Sequence, residues 1–163
     1  MPFFRTAHQW LALSRFDRGV ADWAGSALLL FLRFYVGWQF FNAGLVKIHD
    51  WNATLALFRE EYHVPILPPT LAAYFGAFGE LTFPSLLFLG IGTRVAALGL
   101  FFMNAMAVIS YPVLLTLDCP AAINDHKYWA IGIATIFCFG AGRASLDWLL
   151  LPRDRSVPVT AYR

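Results

Sequence analysis

The sequence predicts an all-α integral membrane protein: an up-and-down bundle of four transmembrane helices with a short outer interfacial helix. Three observations carry this reading. Hydrophobic residues make up 59% of the 163 residues and charged residues only 13%, which leaves too little polar surface to clothe a soluble domain. The apolar residues fall into four stretches, Ala24 to Val46, Thr70 to Gly92, Val95 to Leu117 and Tyr128 to Gly142. The first three run about 23 residues and the fourth is shorter, against the ~20 needed to cross ~30 Å of hydrocarbon. The arginines, finally, are distributed unevenly between the ends of these stretches.

Residues 1–23 read as a cytoplasmic N-terminal segment carrying Arg5, Arg15 and Arg18. The first span is too long for a secretory h-region, and the charges before it have both signs, so no cleaved signal peptide is expected. In the first outer loop, 47–69, Leu55, Phe58 and Tyr62 recur at helical spacing opposite Arg59, Glu60 and Glu61, the pattern of a helix lying in the interface. Pro65, Pro68 and Pro69 then pre-set the entry to the second span. Within that span Pro84 predicts a kink near Glu80. Gly90, Gly92 and Arg94 make a tight inner turn, Pro112 falls near the outer end of the third span, and Asp118, Pro120, Asn124 and Asp125 form the turn before His126 and the fourth. After Arg143 the stretch ASLDWLLLP closes the transmembrane domain, 24–151, with Trp148 as an interface anchor, and 152–163 is a cytoplasmic tail.

Arg5, Arg15, Arg18, Arg94, Arg143, Arg153, Arg155 and Arg163 fall on one side, and Lys47, Arg59 and Lys127 on the other. The positive-inside rule places both termini in the cytoplasm. The net charge of +2 contains no dense basic run, so nucleic acid is not an expected partner; the lipid bilayer is.

Charged residues inside the spans need an account. Arg33, Gly37, Phe40, Gly44 and Lys47 form a heptad stripe along the first helix, with glycines that admit a close neighbour. Ala73, Gly76, Glu80, Phe83 and Leu87 form a matching stripe on the second, and Asn104 is the polar residue of the third. Counted from the edges of the spans at ~1.5 Å per residue, Arg33, Glu80 and Asn104 reach a similar depth. A charge there costs ~2.5–3.5 kcal/mol on insertion scales, so Arg33 and Glu80 are expected to face inward and pair. One reading is an ion pair that fixes register, with Asn104 and Gln39 as hydrogen-bonding glue. The other is a polar site for a quinone or similar small ligand, lined by Trp38, Phe41, Tyr74, Phe78 and Phe102. The candidate ligand-binding residues are Arg33, Lys47, Glu80, Asn104, Gln39 and Trp38.

The segments RFYVGWQFFNAGLVK, FGAFGELTFPSLLFLGIGTRVAAL and GAGRASLDWLL together resemble the DoxX family of small four-helix membrane proteins. The shared positions are Arg33, Gly37, Phe40, Gly44, Lys47, Glu80, Gly90, Arg94, Gly142, Arg143, Ser145 and Asp147. The resemblance implies a bacterial inner-membrane protein and a link to quinone-dependent redox systems, with redox proteins as partners.

Ligand chemistry narrows that link. A transmembrane haem needs axial ligands within the bilayer, yet His8, His49, His63 and His126 all fall outside the spans, so no haem is expected. Cys119 and Cys138 are too far apart to pair, no CxxC is present, and Cys138 reads as a small core residue. His49, Asp50, His63, Asp118, Cys119, Asp125 and His126 are metal-ligand types at the outer face, but their spacing matches no metal motif, and no metal is assigned. The expected function is a non-haem membrane subunit of a quinone-linked redox system, with homo-oligomerisation open. The alternatives are a non-catalytic scaffold or small-solute carrier, or an outer-face metal-handling membrane protein. Arg94, Arg143 and Asp147 are expected to hold the inner turn and the last helix end together, and Ser145 to cap that last turn.

Overall fold

The computed structural model describes residues 3–115 and 121–150, with side chains from Val20 onward. The chain is helical, with no strand among the described residues: α1 (Phe3–His49), α2 (Trp51–Glu60), α3 (Pro69–Leu89), α4 (Thr93–Ser110), a 3-10 turn (Pro112–Leu115), α5 (Ala121–Phe139) and α6 (Leu146–Leu150). α1, α3, α4 and α5 close a ring in which α1 packs on α3 and α5, and α4 packs on α3 and α5. Val36, Phe40, Leu87, Ala96, Ala97, Leu100, Ile133 and Ile136, drawn from all four, fill its centre.

Among the described residues three helices are long and apolar enough to cross a membrane: the Val20–His49 part of α1, α3 and α4. The fourth expected span corresponds to α5, which falls outside that set. Its first turns carry Asp125, His126 and Lys127, so the apolar stretch that follows, 128–139, is only ~18 Å long. α1 also starts well before the expected first span, at Phe3. α4 stops at Ser110, ahead of Pro112, which cannot supply the next helical N–H. Asp118, Cys119 and the tail 152–163 lie outside the described residues.

The register between α1 and α3 is set by close approach. A Cβ on Gly37 would lie 2.7 Å from the Phe88 ring, and one on Gly44 would lie 2.9 Å from Leu81. One heptad along α1 thus matches one heptad back along α3, and the two helices run antiparallel. α2 folds back across α3 at the far end. Asp50 caps it by accepting from the Ala53 N–H at 2.9 Å, and Thr54 Oγ1 donates to the Lys47 carbonyl at 2.9 Å. Its apolar face, as the spacing predicts, is the buried one: Phe58 packs with Ala72 and Ala73 while Arg59 and Glu60 are exposed.

At the opposite end Arg33 is fully buried. Its Nε donates to the Leu87 carbonyl (2.7 Å), Nη1 to Ala141 (2.7 Å) and Ala144 (2.8 Å), and Nη2 to Phe88 (3.0 Å). Leu87 and Phe88 belong to the last turn of α3, whose carbonyls have no intrahelical donor and carry the negative end of the helix dipole. Charge-assisted bonds contribute ~1.5–3 kcal/mol each, so four of them outweigh the cost of placing the guanidinium there. Asp147 does the complementary work at the start of α4, accepting from the Gly92 and Thr93 N–H groups at 2.8 and 2.9 Å. Its own N–H donates to the Gly90 carbonyl at 2.8 Å. Gly90 turns the chain at φ 68°, where a Cβ would lie 2.5 Å from that of Ser145. Ser145 Oγ in turn accepts from the Trp148 N–H at 3.1 Å, the cap expected at the start of the last helix.

Burial pushes the Asp147 carboxyl up, but the bonds from Thr93 and Gly92 and the charge of Arg33 outweigh it and hold it below its ordinary value of 3.8. A depressed carboxyl stabilises the fold fully above its unfolded value and loses that contribution as pH falls through the folded one. The acid limb of a detergent unfolding curve below about pH 4 is therefore expected to flatten in Asp147→Asn, with lower stability at neutral pH. Arg33→Leu removes the guanidinium donor from four carbonyls, of which Leu87 keeps the Gly90 N–H at 3.2 Å, and is expected to lose ~3–5 kcal/mol in the same measurement. Arg33→Lys recovers only part, because an ammonium cannot fork between the end of α3 and the loop after α5.

Candidate functional site

The polar residues of α1 and α3 come together away from Arg33. Lys47 Nζ lies 2.8 and 2.6 Å from the two Glu80 carboxylate oxygens, and each side chain is 13% exposed. This corrects the expected Arg33–Glu80 pair. The register that puts Gly44 on Leu81 and Gly37 on Phe88 places Glu80 beside the Gly44 to Lys47 turn. Arg33 lies fourteen residues earlier, ~21 Å along the helix, at the level where α3 ends. Depth counted from the edges of apolar stretches misplaced both, since α3 starts beyond the end of α1 and finishes short of its other end.

The pair sits under a lid made by α2 and the segment after it. The Phe58 ring lies on Gly76, one turn before Glu80, where a Cβ would come within 3.2 Å of Cζ. Tyr62 packs edge-on against Phe58 (centroids 4.9 Å) and against Tyr111 at the end of α4 (5.2 Å). A hydrogen bond from the His63 N–H to the Ser110 carbonyl, 2.7 Å, holds this segment to α4. Glu61, two residues before His63, is exposed. Burial pushes the Tyr62 phenol up, and the negative charges of Glu80 and Glu61 add to it. The Tyr111 phenol is pushed up by burial and by Glu61. Both phenols therefore stay protonated near neutral pH and remain donors.

Asn104 is buried but does not join this cluster. Its Nδ2 donates to the His126 carbonyl at 3.0 Å, and its Oδ1 lies 2.8 Å from His126 Nδ1. Since the carbonyl can only accept, the amide is oriented with Oδ1 toward the ring, and His126 carries its proton on Nδ1. Gln39 is half-buried and bonds neither Lys47 nor Glu80. Trp38, Tyr74, Phe78 and Phe102 are 55%, 56%, 66% and 61% exposed on the outside of the bundle, so they do not line a polar site. Phe41 packs edge-on against Phe88 at 5.7 Å. Cys138, expected in the core, is exposed; Ile133 and Ile136 occupy the inner face of α5 and turn it outward. Among the described residues no three His, Cys, Asp or Glu side chains converge on a common point.

Two features escaped the sequence. The cage around Arg33 is built of backbone carbonyls, which no side-chain pattern encodes, although the unsatisfied end of α3 beside Gly90 was a signal for it. Tyr111, just ahead of the proline that ends α4, meets Tyr62 only because the segment after α2 folds back onto the end of α4.

The DoxX family model matches residues 28–112, which include Arg33, Lys47, Glu80, Asn104 and Tyr111. A protein of Haemophilus influenzae, described as an uncharacterized protein, is 32% identical over 129 residues, covering 75% of this chain and 82% of that protein. No solved structure matches the chain. A family match running from the first span through the clamp residue, the buried ion pair and the end of α4, together with a relative that extends across most of the chain, shows that the protein belongs to the DoxX family.

Proposed function

We propose that this DoxX-family protein is a non-haem membrane subunit of a quinone-linked redox system, with the Lys47–Glu80 pair as the polar end of its ligand site. The observation that carries the reading is the pair itself, nearly buried between two membrane-capable helices and shut in by α2. Arg33 already fixes the register of α1 against α3, so a second intramembrane charge pair is not needed for that task. Intramembrane ionisable residues that the fold does not require mark ligand or proton sites. The residue types fit a quinone head: an ammonium to donate to a ring carbonyl and a carboxylate to hold a proton. A bound quinone supplies two-electron, two-proton chemistry, with electrons exchanged with a partner protein. Lys47 orients the head and Glu80 holds the proton as charge changes beside it.

In this reading α5 completes a fourth span from Tyr128, and the protein sits in the bacterial inner membrane. Arg94 and Arg143 mark the cytoplasmic end, so the Lys47–Glu80 pair lies toward the outer face. A scaffold or small-solute carrier has one observation in its favour: both Glu80 oxygens are already taken by Lys47.

Organic extraction of the purified protein followed by an ultraviolet spectrum separates the two readings. Bound quinone is expected in the wild type and not in Lys47→Met. An extract free of quinone, with no quinol-dependent activity beside the products of neighbouring genes, would leave the scaffold. The pair is measured by a double-mutant cycle in detergent: Lys47→Met and Glu80→Gln each cost ~3–5 kcal/mol, and the double variant costs less than their sum. Strict additivity would mean the two side chains do not interact.

A further inference from the structure

We infer that the turn 65–68 is a wedge seated in the outer leaflet of the bilayer, with lipid covering its apex residue, Ile66. The inference stands apart from the quinone reading, and its test uses no quinone.

Ile66 is an outlier twice over. Its backbone lies at φ 71°, in the left-handed region, where a β-branched side chain crowds its own main chain. The Leu67 N–H donates across it to the Pro65 carbonyl at 2.8 Å, which closes a γ-turn with a positive central φ, the rarer and more strained hand. Yet the side chain is fully exposed and offsets none of this strain by contacts inside the fold. Glycine would take the same turn without the strain. What the isoleucine side chain contributes therefore lies outside the protein.

The flanks hold the turn in place. Before it, the His63 N–H bonds the Ser110 carbonyl at the end of α4, at 2.7 Å; after it, the Pro68 carbonyl accepts from the Ala72 N–H at 3.0 Å as α3 begins. Pro65 fixes its own φ. Ile66 is thus presented from a turn fastened at both ends.

Lipid is the occupant that the surroundings specify. Leu71, Tyr74, Phe75 and Phe78 recur at helical spacing on α3 and are all exposed, which makes them the outward stripe of a membrane-capable helix. Ile66 and Leu67 carry that exposed apolar run past the start of the helix, and no charged residue occurs in 64–79. Depth agrees. The 21 residues of α3 span ~32 Å, against ~30 Å of hydrocarbon, so its first turn reaches the outer boundary when its last lies beside the inner turn at Gly90. α2, the helix expected to lie in the interface, has its apolar face turned to protein, with Phe58 packed on Ala72 and Ala73. The turn after it takes over the interfacial role. Because Tyr62 and His63 directly precede the turn, the wedge also ties the segment that covers the Lys47–Glu80 end to the membrane.

The test places a spin label at Ile66→Cys in the full-length protein, in a Cys119→Ser, Cys138→Ser background, reconstituted into vesicles of phosphatidylethanolamine and phosphatidylglycerol. Collision with dissolved oxygen, compared with collision with a water-soluble nickel chelate, reports what surrounds the label. Phe78→Cys, on the outward stripe of α3, gives the lipid reference, and Glu60→Cys, exposed on α2, the aqueous one. Since Ile66 is fully exposed, its replacement leaves the fold intact. The oxygen-to-chelate ratio at Ile66→Cys is expected to shift away from the Glu60→Cys value to that of Phe78→Cys. A ratio matching Glu60→Cys would overturn the wedge and leave the turn in water, open to a soluble partner. A label shielded from both reagents would overturn it too, since a second copy of the chain would then cover Ile66.

Discussion

The fold depends first on the burial of Arg33. A guanidinium removed from water must find its donors' partners inside the protein, and the side chain satisfies them on one helix end and one loop. α1, the end of α3 and the chain after α5 are fixed to one point, while Asp147 fastens the start of α4 beside it. One end of the bundle is thereby a rigid polar knot in which two backbone ends of opposite dipole meet side chains of opposite charge. No partner carboxylate neutralises Arg33 by direct contact; helix-end carbonyls do so without the second desolvation that a buried ion pair demands.

That arrangement changes the meaning of the charged stripe on α1. Arg33 and Lys47 share a face, yet they are held by different chemistry. Arg33 is satisfied by backbone that the fold must place there in any case, so its charge is built in. Lys47 is satisfied by one side chain, whose protonation removes most of the attraction. Of the two cations, only Lys47 is bonded to a side chain that can itself take up a proton.

Much of this was legible in the sequence. The apolar stretches gave α3 and α4 within a few residues at most boundaries, and the spacing of Leu55, Phe58 and Tyr62 gave α2 and its buried face. The family resemblance rested on three segments in combination, and Arg33, Lys47 and Glu80 are among their shared positions. The pairing of these three was not legible, because depth was counted from the ends of apolar runs, and those runs do not begin and end at a common level. The information that fixes the pairing lies in Gly37 and Gly44, whose missing Cβ atoms set the offset between α1 and α3. The sequence showed these glycines as permitting close approach, but not which residues of α3 would fill the space. Cys138 was misassigned for a related reason: an apolar stretch does not reveal which of its faces is inward, and Ile133 and Ile136 decided it.

Glu80 also sits where the backbone ladder of α3 is interrupted. Pro84, four residues on, has no N–H, so the Glu80 carbonyl lacks its intrahelical donor and that turn is held more weakly than its neighbours. The end of α3 beyond it is locked by Arg33, and its beginning is held under α2 by Phe58, Ala72 and Ala73. A change in charge at Glu80 therefore acts on a turn of α3 whose backbone ladder is interrupted. The α2 lid, anchored through Thr54 to the carbonyl of Lys47 and through His63 to the end of α4, is the element such a response would reach first.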